Sequence, residues 1–176
     1  MSQSKTDTGH GSEPGTGTSP EPRENIRTGP PKLVPGMVID EVRFAVERGK
    51  IREFARASHA GDAIHTSQRE AAERGLPDVA ATATHVVASG HYRSQAEMLT
   101  TLGLDITRVV VGGTGWDYHR PLVAGDELTG SRTLVSDEAK TSRSGRSLRL
   151  VTLKTDYALP DGTIAVTGRE TLIERG

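Results

Sequence analysis

Residues 147–173 read Ser147-Leu148-Arg149-Leu150-Val151-Thr152-Leu153-Lys154-Thr155-Asp156-Tyr157-Ala158-Leu159, then Pro160-Asp161-Gly162, then Thr163-Ile164-Ala165-Val166-Thr167-Gly168-Arg169-Glu170-Thr171-Leu172-Ile173. Two runs rich in Val, Thr, Leu and Ile flank a short Pro-Asp-Gly turn, the strongest hairpin signal in the chain. Moving toward the N-terminus, Ser144-Gly145 and Ala124-Gly125-Asp126 punctuate two further runs, 127–136 and 106–118. The C-terminal half is therefore expected to form four antiparallel strands.

The preceding half has a different period. Val38, Val42, Phe44 and Val46 sit at even spacing, as in a strand with one buried face. From Glu47 to Ser58 the period becomes helical, with Ile51, Phe54, Ala55 and Ser58 on one face. A loop, 59–65, leads to a short helix over 68–74 that Thr66 or Ser67 can cap and Gly75 can end. The longest helical candidate follows, 82–102, and its small apolar start (Ala83, Val86, Val87, Ser89, Gly90) suits burial against a sheet. One buried helix against a curled antiparallel sheet is an α+β single domain, expected over 33–176. Residues 1–32 are dominated by Gly, Pro, Ser, Thr and charges and are expected to be a disordered tail.

Composition narrows the function. The 176 residues carry 22 basic and 23 acidic side chains, so no net field favours nucleic acid or an anionic membrane. With no cysteine, disulfides, thiolate metal sites and thiol nucleophiles are excluded. No apolar stretch reaches the ~18 residues of a membrane span, and the polar N-terminus is unlike a signal peptide, so a cytoplasmic location is expected. Val109-Val110-Val111-Gly112-Gly113-Thr114-Gly115 begins like a nucleotide-binding glycine turn. A strand-like Trp116-Asp117-Tyr118 follows where a helix is required, so the glycines are read as a bulge. His85 and His91 lie six apart, the wrong spacing for a shared helical face, and no metal site is expected. Serine hydrolase chemistry lacks its G-x-S-x-G elbow.

Two stretches hold candidate chemistry. Lys140, Arg143, Arg146 and Arg149 cluster around one hairpin turn, which is either a solvated tip or a phosphate contact for coenzyme A or phosphopantetheine. The loop His59-Ala60-Gly61-Asp62-Ala63-Ile64-His65 brings two imidazoles and a carboxylate together just before the longest helical candidate. An acid–base pair beside helix N-terminal amides can move protons while the amides hold a developing oxyanion.

Phe54-Ala55-Arg56-Ala57, His65-Thr66, Glu70-Ala71-Ala72, Gly75 and Ala81-Thr82-Ala83-Thr84, with Arg120-Pro121-Leu122-Val123-Ala124-Gly125-Asp126-Glu127-Leu128, resemble the MaoC-like dehydratases. The similarity is closest to their FAS1-like branch and covers about 36–174. It implies a hotdog fold, in which an antiparallel sheet wraps a long central helix, and a homodimer or a heterodimer with another hotdog subunit. It also implies acyl thioesters of coenzyme A or acyl carrier protein as substrates, in fatty-acid, polyketide or secondary metabolism, with no cofactor. Active members hydrate a trans-2-enoyl thioester, or run the reaction backwards, through an Asp-x-Asn-Pro-hydrophobic-His loop. Here His65 takes the His position and Ile64 the hydrophobic one, but Ala63 replaces Pro, Asp62 replaces Asn and Ala60 replaces Asp. The resemblance thus makes His65 the acid–base group, Asp62 or His59 its partner, and the amides of Thr82 and Ala83 the oxyanion site. The displaced carboxylate keeps a second reading open: a non-catalytic acyl-thioester-binding subunit beside a complete partner.

Overall fold

The computed structural model describes residues 32–176; the expected tail lies, apart from Lys32, outside them. Ten elements follow in order: strand β1 (Val38–Ala45), helix α1 (Arg48–Ala57), a 3-10 turn (Ala63–His65), helix α2 (Gln68–Glu73), a second 3-10 segment (His85–Tyr92), helix α3 (Gln95–Leu102), and strands β2 (Val109–Tyr118), β3 (Glu127–Thr141), β4 (Ser147–Ala158) and β5 (Ile164–Arg175). The five strands form one antiparallel sheet in the order β1-β3-β4-β5-β2. No helix among the described residues is long and apolar enough to cross a membrane.

The hairpin that opened the sequence reading forms as expected. Tyr157 pairs with Val166, the Leu159 amide donates to Thr163 O at 2.9 Å, and Gly162 takes a φ of +85° that a side chain would disfavour. The glycines of β2 mark the expected bulge, with the register slipping between Val111 and Gly113. Gly112 suits the bulge, since a Cβ there would crowd the Ile173 side chain, 2.5 Å from Cδ1. β2 begins at Val109 rather than residue 106, because Asp105 Oδ1 accepts from the Thr107 amide at 3.0 Å and turns the chain.

The single long helix expected over 82–102 is replaced by two pieces. The stretch His85–Tyr92 winds as a 3-10 segment, Arg93 is extended, and Ser94 caps α3 by accepting from the Glu97 amide at 3.2 Å. The β-branched pair Val86-Val87 and Gly90 weaken α-helix here. Arg93 completes the break: its guanidinium bonds Asp40 and donates to Gly130 O at 3.0 Å. The core divides accordingly. One cluster gathers Phe44, Val46, Ile51, Val79, Val86, Leu122 and Val166 beneath α1 and the 3-10 segment. The other gathers Met98, Leu99, Leu102, Leu134, Val151, Leu153 and Leu172 beneath α3.

Candidate active site

The loop after α1 is built by backbone chemistry. His59 has a φ of 55°, and the Ala60 amide reaches back to Ala55 O at 2.8 Å, a left-handed helix stop usually given to glycine. The His59 side chain is exposed and makes no hydrogen bond with Asp62 or His65 among the described residues. Asp62 then caps the 3-10 turn, Oδ1 accepting from the Ile64 amide at 3.0 Å. Arg74, at the end of α2, grips the same carboxylate with both guanidinium nitrogens, at 2.8 and 2.9 Å. Those Arg74 hydrogen bonds, then the Ile64 amide, hold the Asp62 carboxyl below its ordinary pKa. Asp62 is thus an engaged anion that fixes the turn, and a poor proton acceptor.

His65 ends that turn, half-buried. Its Nδ1 lies 2.8 Å from Ala80 O, and a carbonyl oxygen only accepts, so Nδ1 carries the proton and donates. In the neutral ring Nε2 is then the free, basic nitrogen. Ala80 is held in turn: its amide donates to Ile64 O at 3.0 Å, it bridges Val123, and the next amide, Ala81, donates to Leu122 O at 2.8 Å. The segment Arg120–Leu128, which carried part of the resemblance, makes that anchor. Asp126 accepts from Arg120 at 2.5 Å and from the Val123 amide at 2.9 Å, and Gly125 turns with a φ of +95°. Asp78 receives Arg48, Gln68 and the Val79 amide, tying α1 and α2 to the segment that leads into Ala80.

The Thr82 and Ala83 amides donate to no backbone carbonyl among the described residues. Thr82 is buried, with an Oγ1 that finds no partner there. The expectation of amides within a long helix's first turn is corrected: the 3-10 segment starts at His85, two residues further on, and Thr82 O accepts its first amide at 3.1 Å. Tyr118 OH donates to Ala83 O, which fixes the peptide plane beside these amides. Burial, then neighbouring Tyr157, pushes the Tyr118 hydroxyl up to about 12, so it stays a donor. One stretch, 80–83, therefore joins an imidazole with a free nitrogen to two unengaged amides. Such a unit can transfer a proton next to a carbonyl whose oxygen gains charge.

Sequence reading missed Arg74, Ala80 and Tyr118. Arg74 lies twelve residues from Asp62 with no periodic signal, Ala80 acts through its carbonyl, and Tyr118 reads as an ordinary strand residue. His85, expected as a surface or hydrogen-bonded core histidine, is fully buried with neither ring nitrogen partnered. It packs against Phe44 and Phe54, at ring-centroid distances of 5.8 and 5.4 Å, and burial lowers its pKa. Arg143 and Arg146 are exposed at the β3–β4 tip. β3 separates that tip from Asp126 by 15 residues, roughly 50 Å of strand at ~3.3 Å each. The structure does not bring them to His65, which favours the solvated-tip reading. Of the other two basic residues, Arg149 is bound to Asp137 at 2.8 Å and Lys140 to Glu138 at 3.1 Å.

Comparison with known proteins places the fold. The FAS1-like, dehydratase domain region matches residues 33–167. A UPF0336 protein of Saccharopolyspora erythraea is 34% identical over 134 residues, covering 76% of this chain and 83% of its own. Among solved structures, the C-terminally truncated HadBC (3R-hydroxyacyl-ACP dehydratase) complex of Mycobacterium tuberculosis aligns with a TM-score of 0.64 and 24% identity, over 80% of this chain and 98% of that one. A MaoC-like dehydratase aligns with a TM-score of 0.67 and 24% identity, over 82% of this chain and 42% of its own. The α+β hotdog fold is borne out, with its central helix broken as described.

Proposed function

Because this chain belongs to the FAS1-like dehydratase domain family of MaoC-like hotdog proteins, we propose that it binds an acyl thioester and hydrates its trans-2-enoyl group, or runs that reaction backwards. One observation carries the reading: His65 Nδ1 is committed to Ala80 O, which leaves Nε2 free and ties the ring to the stretch that carries the unengaged Thr82 and Ala83 amides. In the forward direction Nε2 takes a proton from water as the water oxygen bonds C3 and the C2–C3 π bond opens. The charge collects on the thioester oxygen, where the Thr82 and Ala83 amides donate to it. The imidazolium then returns the proton to C2, so one water is added and the imidazole is regenerated. Asp62 and Arg74 hold the turn that carries His65. His59, exposed and unconnected to His65, has no part in this scheme.

Loss of the conjugated enoyl absorbance of trans-2-butenoyl pantetheine thioester, added to the purified protein, tests the proposal. Turnover by the wild type and none by a folded His65→Ala variant supports it; equal turnover by both removes it.

A second reading has its own observation. Ala60 occupies the position of the motif carboxylate, and the nearest acid, Asp62, is engaged by Arg74. A chain so altered suits an acyl-thioester-binding subunit beside a hotdog partner with an intact loop, and HadBC of Mycobacterium tuberculosis is a complex. Recovery of a stoichiometric hotdog partner from the native source, with no turnover by the isolated chain, supports this reading. A homodimer that turns over substrate unaided excludes it.

A further inference from the structure

Each strand contributes one residue to a row across the inner face of the sheet. The register sets Asp40 of β1 beside Arg132 of β3, Arg132 beside Thr155 of β4, Thr155 beside Gly168 of β5, and Gly168 beside Trp116 of β2. The charged end of this row is closed on itself. Arg93 bonds Asp40, and Arg132 lies 3.5 Å from Asp40 Oδ2 and 3.6 Å from Glu170 Oε1, so two guanidiniums face two carboxylates. The other end is neutral, and at Gly168 it carries no side chain. Packing does not demand that gap, since a Cβ on Gly168 would approach no closer than 3.5 Å to Trp116.

The gap opens onto a cavity of about 240 Å³ between the 3-10 segment and the sheet. Its walls offer hydrogen bonds without charge. Ser89 and Tyr157 are buried, and their hydroxyl oxygens lie 2.9 Å apart. Two such hydroxyls share one hydrogen, and the second has no acceptor among the described residues. Thr155 is more than nine-tenths buried, on the inner face of β4 between Leu153 and Tyr157, and its hydroxyl bonds nothing among the described residues. That oxygen is not sealed in the core, so it opens on the cavity that Thr155 lines. The Trp116 indole N–H, in the same walls, also finds no acceptor there. Donors so placed call for an acceptor brought from outside.

We propose that the acyl group of the thioester enters this cavity and carries an uncharged oxygen, a hydroxyl or a ketone, for these donors. The inference rests on the thioester reading above. Tyr118, whose hydroxyl bonds Ala83 O, is two residues from Trp116 on the same face of β2, about 7 Å along the strand. A chain of about six single bonds of ~1.5 Å spans that distance in zigzag form. A plain alkyl group there would displace water from the donors and leave them unmet, and a site built to bond an oxygen rejects the analogue that lacks it. A carboxylate gains no cation on this face, because Arg93 and Arg132 are matched by Asp40 and Glu170. A neutral oxygen accepts from Thr155 and from the Ser89–Tyr157 pair with no ion to desolvate.

Calorimetric binding of saturated, unreactive pantetheine thioesters to the full chain tests this without turnover. The 6-hydroxyhexanoyl ester is expected to bind about fivefold or more tightly than its isostere, the heptanoyl ester, and the adipoyl ester no more tightly than heptanoyl. The double variant Ser89→Ala, Thr155→Val keeps the shape of the walls and should bring the hydroxylated and heptanoyl esters within about twofold of each other. Equal binding of those two esters by the wild type would mean that the cavity holds water alone. That result, tightest binding by adipoyl, or an undiminished hydroxyl preference in the folded variant overturns the inference and leaves thioester binding standing. Should the variant fail to fold, the wild-type series decides alone. Binding of none of the three esters overturns the thioester reading and this inference together.

Discussion

Replacing His85 by Leu is expected to stabilise the protein and to flatten its stability at mildly acidic pH. The imidazole is fully buried, packed on Phe44 and Phe54, and neither ring nitrogen has a hydrogen-bond partner. Leaving a buried polar group unmet costs about 1–3 kcal/mol, and Leu has a similar volume without that cost. The sign of the pH effect follows from burial, which lowers the folded-state pKa below the usual 6.5. The unfolded chain therefore takes up a proton near 6.5 that the folded chain refuses. Stability is whole above that value and falls as pH drops below it, by about 1.4 kcal/mol per pH unit, until the folded pKa is reached. Urea unfolding of wild type and His85→Leu at pH 7.5, 6.5, 5.75 and 5.0 isolates this term, because every other titrating group is shared. The difference between the two curves should widen steadily below pH 6.5. Parallel curves through that range would refute the claim that the imidazole is buried and neutral.

Three further outcomes are expected. Tyr118→Phe removes the hydrogen bond to Ala83 O and should cost about 1 kcal/mol in unfolding free energy. It should also lower kcat more than it changes KM, since it loosens the Ala83 peptide beside the oxyanion site. Gly130→Ala drives a Cβ to 2.8 Å from the Tyr157 ring and should destabilise by about 1–3 kcal/mol, read as a fall in Tm. Arg74→Ala should raise the Asp62 carboxyl pKa toward its ordinary value, seen by carbon-detected NMR titration, because the Arg74 hydrogen bonds are the first cause of its depression.

Much of the fold was legible because it rests on local chemistry. The Pro160-Asp161-Gly162 turn, the bulge at Gly112 and the cap at Ser67 depend on residues within a few positions of one another. The broken helix was hidden because its cause is distant: Arg93 is drawn to Asp40 and Gly130, on strands far away in sequence. The same limit applies to the site. His65 is conspicuous in sequence because it is an imidazole in a loop. The proton position on that ring is set by a carbonyl, which no side-chain pattern records. The Arg74 guanidinium on Asp62 comes from twelve residues away, and the helix stop at His59 is a backbone conformation, so neither is written in a side-chain pattern.

The central claim is that proton transfer rests on His65 alone while Asp62 serves the turn. Turnover of trans-2-butenoyl pantetheine thioester by wild type, His65→Ala and Asp62→Asn, each confirmed folded by circular dichroism, tests it most directly. The expected result is a loss of about 10²–10⁴-fold for His65→Ala and less than tenfold for Asp62→Asn. Equal losses in both variants, or full activity in His65→Ala, would contradict it.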